Sequence, residues 1–147
     1  MSEENFDTLV NLKFSYLKMI QDVITRMASN SFYVKGWCVT IFAATFLFIL
    51  QNLEFSSMFV LIFLIMSFWY LDAYFLYQER MYRDLYDYVR NLEASNAFLL
   101  NFSLNPFNVA EKEKSSKSSQ RDAFFSKTLI LFYGPMILIL LLLVISG

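Results

Sequence analysis

The chain has 147 residues, 57% of them hydrophobic, 19% aromatic and 17% charged, with no histidine, one cysteine, three glycines and two prolines. These counts exclude Ser-His and Cys-His nucleophilic pairs, imidazole metal sites, an internal disulfide or CxxC motif at Cys38, and glycine-rich phosphate loops. A mean hydropathy of +0.45 is too apolar for an ordinary soluble domain, and the length allows one domain. The expectation is an all-α membrane protein that is not an enzyme and uses no cofactor or metal.

Residues 1–35 read as an amphipathic helix. Phe6, Val10, Leu17, Ile20, Ile24 and Met27 lie along one helical stripe, with Leu9, Tyr16 and Val23 beside it. Lys13 falls on that stripe, whereas Glu3, Glu4, Asp7, Lys18, Asp22 and Arg26 mostly face elsewhere. The acidic start, with no apolar core behind it, does not fit a signal peptide.

Residues 36–53 form the first expected transmembrane helix. The uncharged run GWCVTIFAATFLFIL, with Phe32 to Val34 in front and Lys35 snorkelling, reaches the roughly 17–20 residues that a span needs. Gln51, Asn52, Leu53 and Glu54 make a tight polar turn. A second span covers 55–77, interrupted by Asp72, and a third covers 128–146, where Gly134-Pro135 should kink the helix. Four basic residues precede span one, none lies in the 51–54 turn, and eight lie between spans two and three. The positive-inside rule therefore places the N-terminus and the 78–127 segment in the cytoplasm and the C-terminus outside.

Span two is expected to continue outward as one helix. Leu71, Phe75, Gln78, Tyr82, Leu85, Val89, Leu92, Asn96 and Leu99 alternate spacings of four and three without a Gly or Pro, a heptad seam reaching about Asn96 or Leu100. Glu79 and Arg83 pair at i,i+4 on it. The seam suits pairing with another copy or packing on the 3–30 helix equally well. Asn105-Pro106 looks like an N-cap followed by Pro at the first helical position. The run EKEKSSKSSQR at 111–121 reads as a solvated linker, and Ser119 with Asp122 as a capping box for the third span.

Asp72 is the one acidic residue inside an expected span, so it should face protein or a watery cavity. It pairs with a nearby Lys or Arg near the interface, or it lines a conduction path, and the sequence leaves both open. Gln51, Asn52 and Glu54 would ring an outer mouth if copies surrounded an axis. Ser67 joins Thr40, Thr45, Ser56 and Ser57 as small hydroxyls able to bond within or between helices. The run QERMYRDLYDYVR at 78–90 interleaves Arg80, Arg83 and Arg90 with Tyr82, Tyr86 and Tyr88. With Arg26 and Lys18 of the N-terminal helix, these arginines are the candidate polyanion-binding residues. The cytoplasmic segments carry twelve basic and eleven acidic residues, so only oligomerisation would gather the positives. No convergent acid, base or nucleophile set is visible.

The stretches SFYVKGW (31–37) and FWYLDAYFLYQERMYRDLYDYV (68–89) together resemble small membrane effectors of bacterial anti-phage defence loci, most of all those of Hailong systems. The resemblance covers roughly residues 15–90 and the overall plan. It implies a homotetrameric ion channel of the bacterial inner membrane, with its C-terminus in the periplasm and an electropositive cytoplasmic chamber. A single-stranded DNA oligomer made by a co-encoded nucleotidyltransferase would hold the channel shut until infection. A non-conducting scaffold that recruits a cytoplasmic partner is the alternative. An exporter would need paired membrane-embedded charges and an internal repeat, which the sequence lacks.

Overall fold

The computed structural model describes residues 3–51, 55–92, 104–108 and 119–146. Two long helices lead, α1 (Glu3–Gln51, 49 residues) and α2 (Phe55–Asn91, 37 residues). A 3-10 turn at Pro106–Asn108, the five-residue helix α3 (Gln120–Phe124) and the 20-residue helix α4 (Lys127–Ser146) follow. The described residues contain no strand. Helices α1, α2 and α4 are each long and apolar enough to cross a membrane.

Length explains the architecture. At 1.5 Å per residue α1 extends about 73 Å and α2 about 55 Å, against about 30 Å of bilayer hydrocarbon. Each therefore carries a polar half beyond its apolar one. The segments 1–35 and 36–53, distinguished by composition, form one unbroken helix. Gly36 costs such a helix only about 1 kcal/mol. α4 also runs unbroken through Pro135, which leaves the Leu131 carbonyl without its usual helical donor.

α1 and α2 pair antiparallel and bury two apolar clusters. In the polar halves, Tyr16, Leu17, Ile20 and Ile24 of α1 meet Leu85 and Val89 of α2, edged by Tyr82, Tyr86 and Tyr88. Burial pushes the Tyr16 phenol up from its ordinary value. In the apolar halves, Cys38 and Ile49 join Met58, Leu61, Ile65 and Ala73 of α2 and Leu129, Tyr133 and Leu140 of α4.

The buried positions of α2 do not follow the expected seam throughout. Leu85 and Val89 are buried, but Leu71 is 42% exposed, and Asp72 and Met81 take inward positions instead. At Leu71 and Asp72 the cause is α4, which packs together with α1 on the apolar half of α2. The helix also ends at Asn91, short of the expected Asn96 or Leu100. Asn96 and Leu99 lie outside the described residues.

Helix ends are closed by specific groups. Asn105 Oδ1 accepts the Phe107 N–H at 3.0 Å and so caps the 3-10 turn that Pro106 opens. Ser119 precedes α3 rather than the third span, and its side chain makes no capping bond, which corrects the expected capping box with Asp122. Ser126 takes that role instead. Its carbonyl accepts from Leu129 and Ile130 at the start of α4, and its hydroxyl accepts from Leu129 N–H at 3.4 Å.

Lys13, a cation on an otherwise apolar stripe, finds its reason at the far end of the hairpin. Its ammonium donates to the carbonyls of Arg90, at 2.9 Å, and Leu92. These carbonyls lie at the C-terminal end of α2, the negative end of its dipole. Lys13→Ala should cost about 1 kcal/mol, confined to the hairpin tip. Hydrogen exchange should speed up over 85–92 and stay unchanged in α4; equal acceleration in both would show that the contact is not local.

Candidate functional site

Between the two apolar clusters lies a closed polar one. Asp72 is 0% exposed, and it lies one residue from Ala73, the last α2 member of the apolar cluster. Lys35 Nζ stands 2.6 Å from Asp72 Oδ2. The Ser31 hydroxyl donates to Asp72 Oδ1, and the Tyr133 hydroxyl donates to Asp72 Oδ2 at 3.1 Å. Lys35 also donates to Ser31 Oγ at 2.8 Å. One carboxylate thus draws donors from α1 and α4 together.

Each position follows from helical geometry. Ser31 and Lys35 are four residues apart, so both project from the same face of α1. Tyr133 comes about two turns into α4, on the side that faces α2. Lys35 does not snorkel outward as expected. It turns inward, with its side chain 24% exposed and its ammonium 6.0 Å from the centre of the Phe132 ring. A buried carboxylate without a counter-charge is costly, so the ion pair prevails over hydration of the ammonium. Among the described residues no buried side-chain nitrogen or oxygen lacks a partner.

An aromatic stack supports the cluster from α2. The Trp69 ring lies flat between Phe124, at 5.1 Å, and Tyr133, at 5.6 Å. Its indole N–H donates to the Phe124 carbonyl at 2.9 Å. Trp69 thereby ties α3 and the start of α4 to the helix that carries Asp72.

The other candidates are dispersed. Ser67 is exposed on α2 and its hydroxyl bonds back to the Phe63 carbonyl at 2.9 Å, so it does not join Asp72. Gln51 is the last residue of α1, and Asn52 and Glu54 lie outside the described residues. Arg83 pairs with Glu79 at 2.6 Å and Arg90 with Asp87 at 3.2 Å. Arg83 lines a shallow cleft of about 250 Å³ with Gln21, Ile24, Tyr86 and Asp87. Arg90 lines another, of about 290 Å³, with Val10, Lys13, Phe14 and Leu17. Lys18 and Arg26 are exposed on α1, and Arg80 is half-buried on α2. Arg83 and Arg90 thus line separate clefts.

Sequence reasoning named Asp72 but not its partners. The signal for Lys35 was present, since an acid inside a span demands a base and Lys35 borders span one. Ser31 and Tyr133 left none. Among the described residues no group of three or more His, Cys, Asp or Glu side chains could hold a metal ion. No known protein family matches the chain, and neither a curated protein nor a solved structure does.

Proposed function

We propose that copies of this chain assemble in the bacterial inner membrane into an ion channel, or membrane-depolarising effector, of anti-phage defence. Its gate answers to the cytoplasmic half of the hairpin, where a nucleotide or single-stranded DNA oligomer binds. The observation that carries this reading is continuity: α1 and α2 run unbroken from their polar halves into their apolar ones. A ligand that shifts the hairpin therefore acts directly on two spans, the coupling that a gate requires. The distribution of basic residues supports a cytoplasmic N-terminus and a periplasmic C-terminus.

Three polar groups in the spans are satisfied within the chain, Thr40 by the Gly36 carbonyl, Ser67 by the Phe63 carbonyl and Asp72 by its cluster. A conduction path therefore has to form between copies, and the family resemblance favours four. Assembly is also what would bring Arg80, Arg83, Arg90, Lys18 and Arg26 of several copies around one polyanion supplied by a co-encoded nucleotidyltransferase.

Purified full-length protein in planar bilayers should conduct ions, and a single-stranded DNA oligomer on the cytoplasmic side should change the open fraction. The same internal satisfaction of polar groups favours the second reading, a non-conducting scaffold. Absence of conductance with and without the oligomer, with membrane potential intact on overexpression, would establish that reading in place of the channel.

A further inference from the structure

The Asp72 cluster stands at the level where the paired polar halves end and the three-span core begins. Its donors come from both of the helices that flank α2, Ser31 and Lys35 on one side and Tyr133 on the other. An apolar set of the same volume would hold these helices at least as well, because burying an ion pair costs desolvation. What an ion pair adds is a second stable condition. Dry, it is paired; wet, its members separate and water solvates each; a half-opened, dry arrangement is the costly one. Packed cores with such a contact switch between discrete arrangements rather than bending gradually.

Water has one evident way in. Lys35 is the partly exposed member of the pair, and its stem is long enough to carry the ammonium outward once released. One turn further along α1 lies Cys38, fully buried in the core that also holds Ala73, Leu129 and Tyr133. Opening at Lys35 would uncover this thiol first.

The geometry points to the Lys35–Asp72 pair, closed by Ser31 and Tyr133, as the latch that holds α1 and α4 against α2. When the hairpin moves, the latch separates and water enters as far as Cys38. This inference rests on the gating reading above and supplies its closing contact.

Cys38 is the chain's single cysteine, so it reports opening without an engineered label. Full-length protein in liposomes is treated on both faces with a charged methanethiosulfonate, whose reaction needs the thiolate and hence water. Wild-type Cys38 should react slowly. Asp72→Asn and Lys35→Met should react at least about tenfold faster, since the first removes the charge that holds the ammonium inward and the second leaves the Asp72 carboxylate buried without its counter-charge. The exchange K35D/D72K should restore most of the protection. Tyr133→Phe and Ser31→Ala, which leave no unpaired charge, should fall between. Folded variants whose Cys38 stays as protected as in wild type would overturn the latch. If the charge variants lose helical circular dichroism or monodisperse elution, flat labelling in Tyr133→Phe and Ser31→Ala overturns it equally. Conductance of the same proteoliposomes separates the two ideas. Conduction with flat labelling removes the latch alone, whereas graded labelling without conduction in any variant removes the channel alone.

Discussion

Replacing Lys35 by Met will destabilise the three-helix apolar core by about 3–5 kcal/mol, the cost of leaving one member of a buried pair without its partner. Asp72→Leu will cost less, and the two together less than their sum. The asymmetry follows from the geometry. Asp72 is wholly enclosed and sits on a short side chain, so without the ammonium it keeps only the hydroxyls of Ser31 and Tyr133 as donors. Lys35 is already partly exposed and, freed of Asp72, swings its ammonium toward the interface. In the double variant no charge is left behind, and apolar side chains of similar volume replace the pair at little net cost. Thermal unfolding in detergent of the four proteins measures this as a cycle, with an expected coupling of at least about 3 kcal/mol. Additive effects, or a costlier Asp72→Leu than Lys35→Met, would show that the pair does not hold the core together.

That cycle concerns a contact only half legible in the sequence. The three apolar helices were legible because crossing a bilayer needs an uninterrupted apolar length, which composition reveals without any tertiary information. The Glu79–Arg83 pair was legible because it depends on helical spacing alone. Asp72 stood out by its position, yet its partners sit 41 and 61 residues away along the chain, and no local pattern encodes such a meeting. The seam failed at Leu71 for a related reason. A heptad pattern assumes one partner along the whole helix, but α4 joins α2 only in its apolar half and changes which face is inside. Lys13 shows the reverse. It looked like a fault in an apolar stripe and proved to be the donor that closes the end of α2.

Trp69 offers the second large effect. Its ring stacks on Phe124 and Tyr133 and is partly buried, so truncating it to Ala should cost about 2–3 kcal/mol, below the range for a fully buried aromatic. Two contributions can be separated. Trp69→Phe keeps a ring between the two neighbours but loses the indole N–H, leaving the Phe124 carbonyl without this donor; that hydrogen bond is worth about 1 kcal/mol. The remainder belongs to stacking and volume, so Trp69→Ala should fall well below Trp69→Phe in thermal unfolding. Position matters as much as magnitude. The Tyr133 ring rests on Trp69 while its hydroxyl reaches Asp72, so a void at Trp69 loosens the donor that α4 contributes to the cluster. Trp69→Ala should therefore speed thiol labelling of Cys38 and hydrogen exchange across 123–130, whereas Trp69→Phe should quicken exchange near Phe124 and leave Cys38 protected. Faster exchange around α3 in Trp69→Ala with Cys38 still protected would mean that the stack anchors α3 alone, and that the Asp72 cluster holds without it.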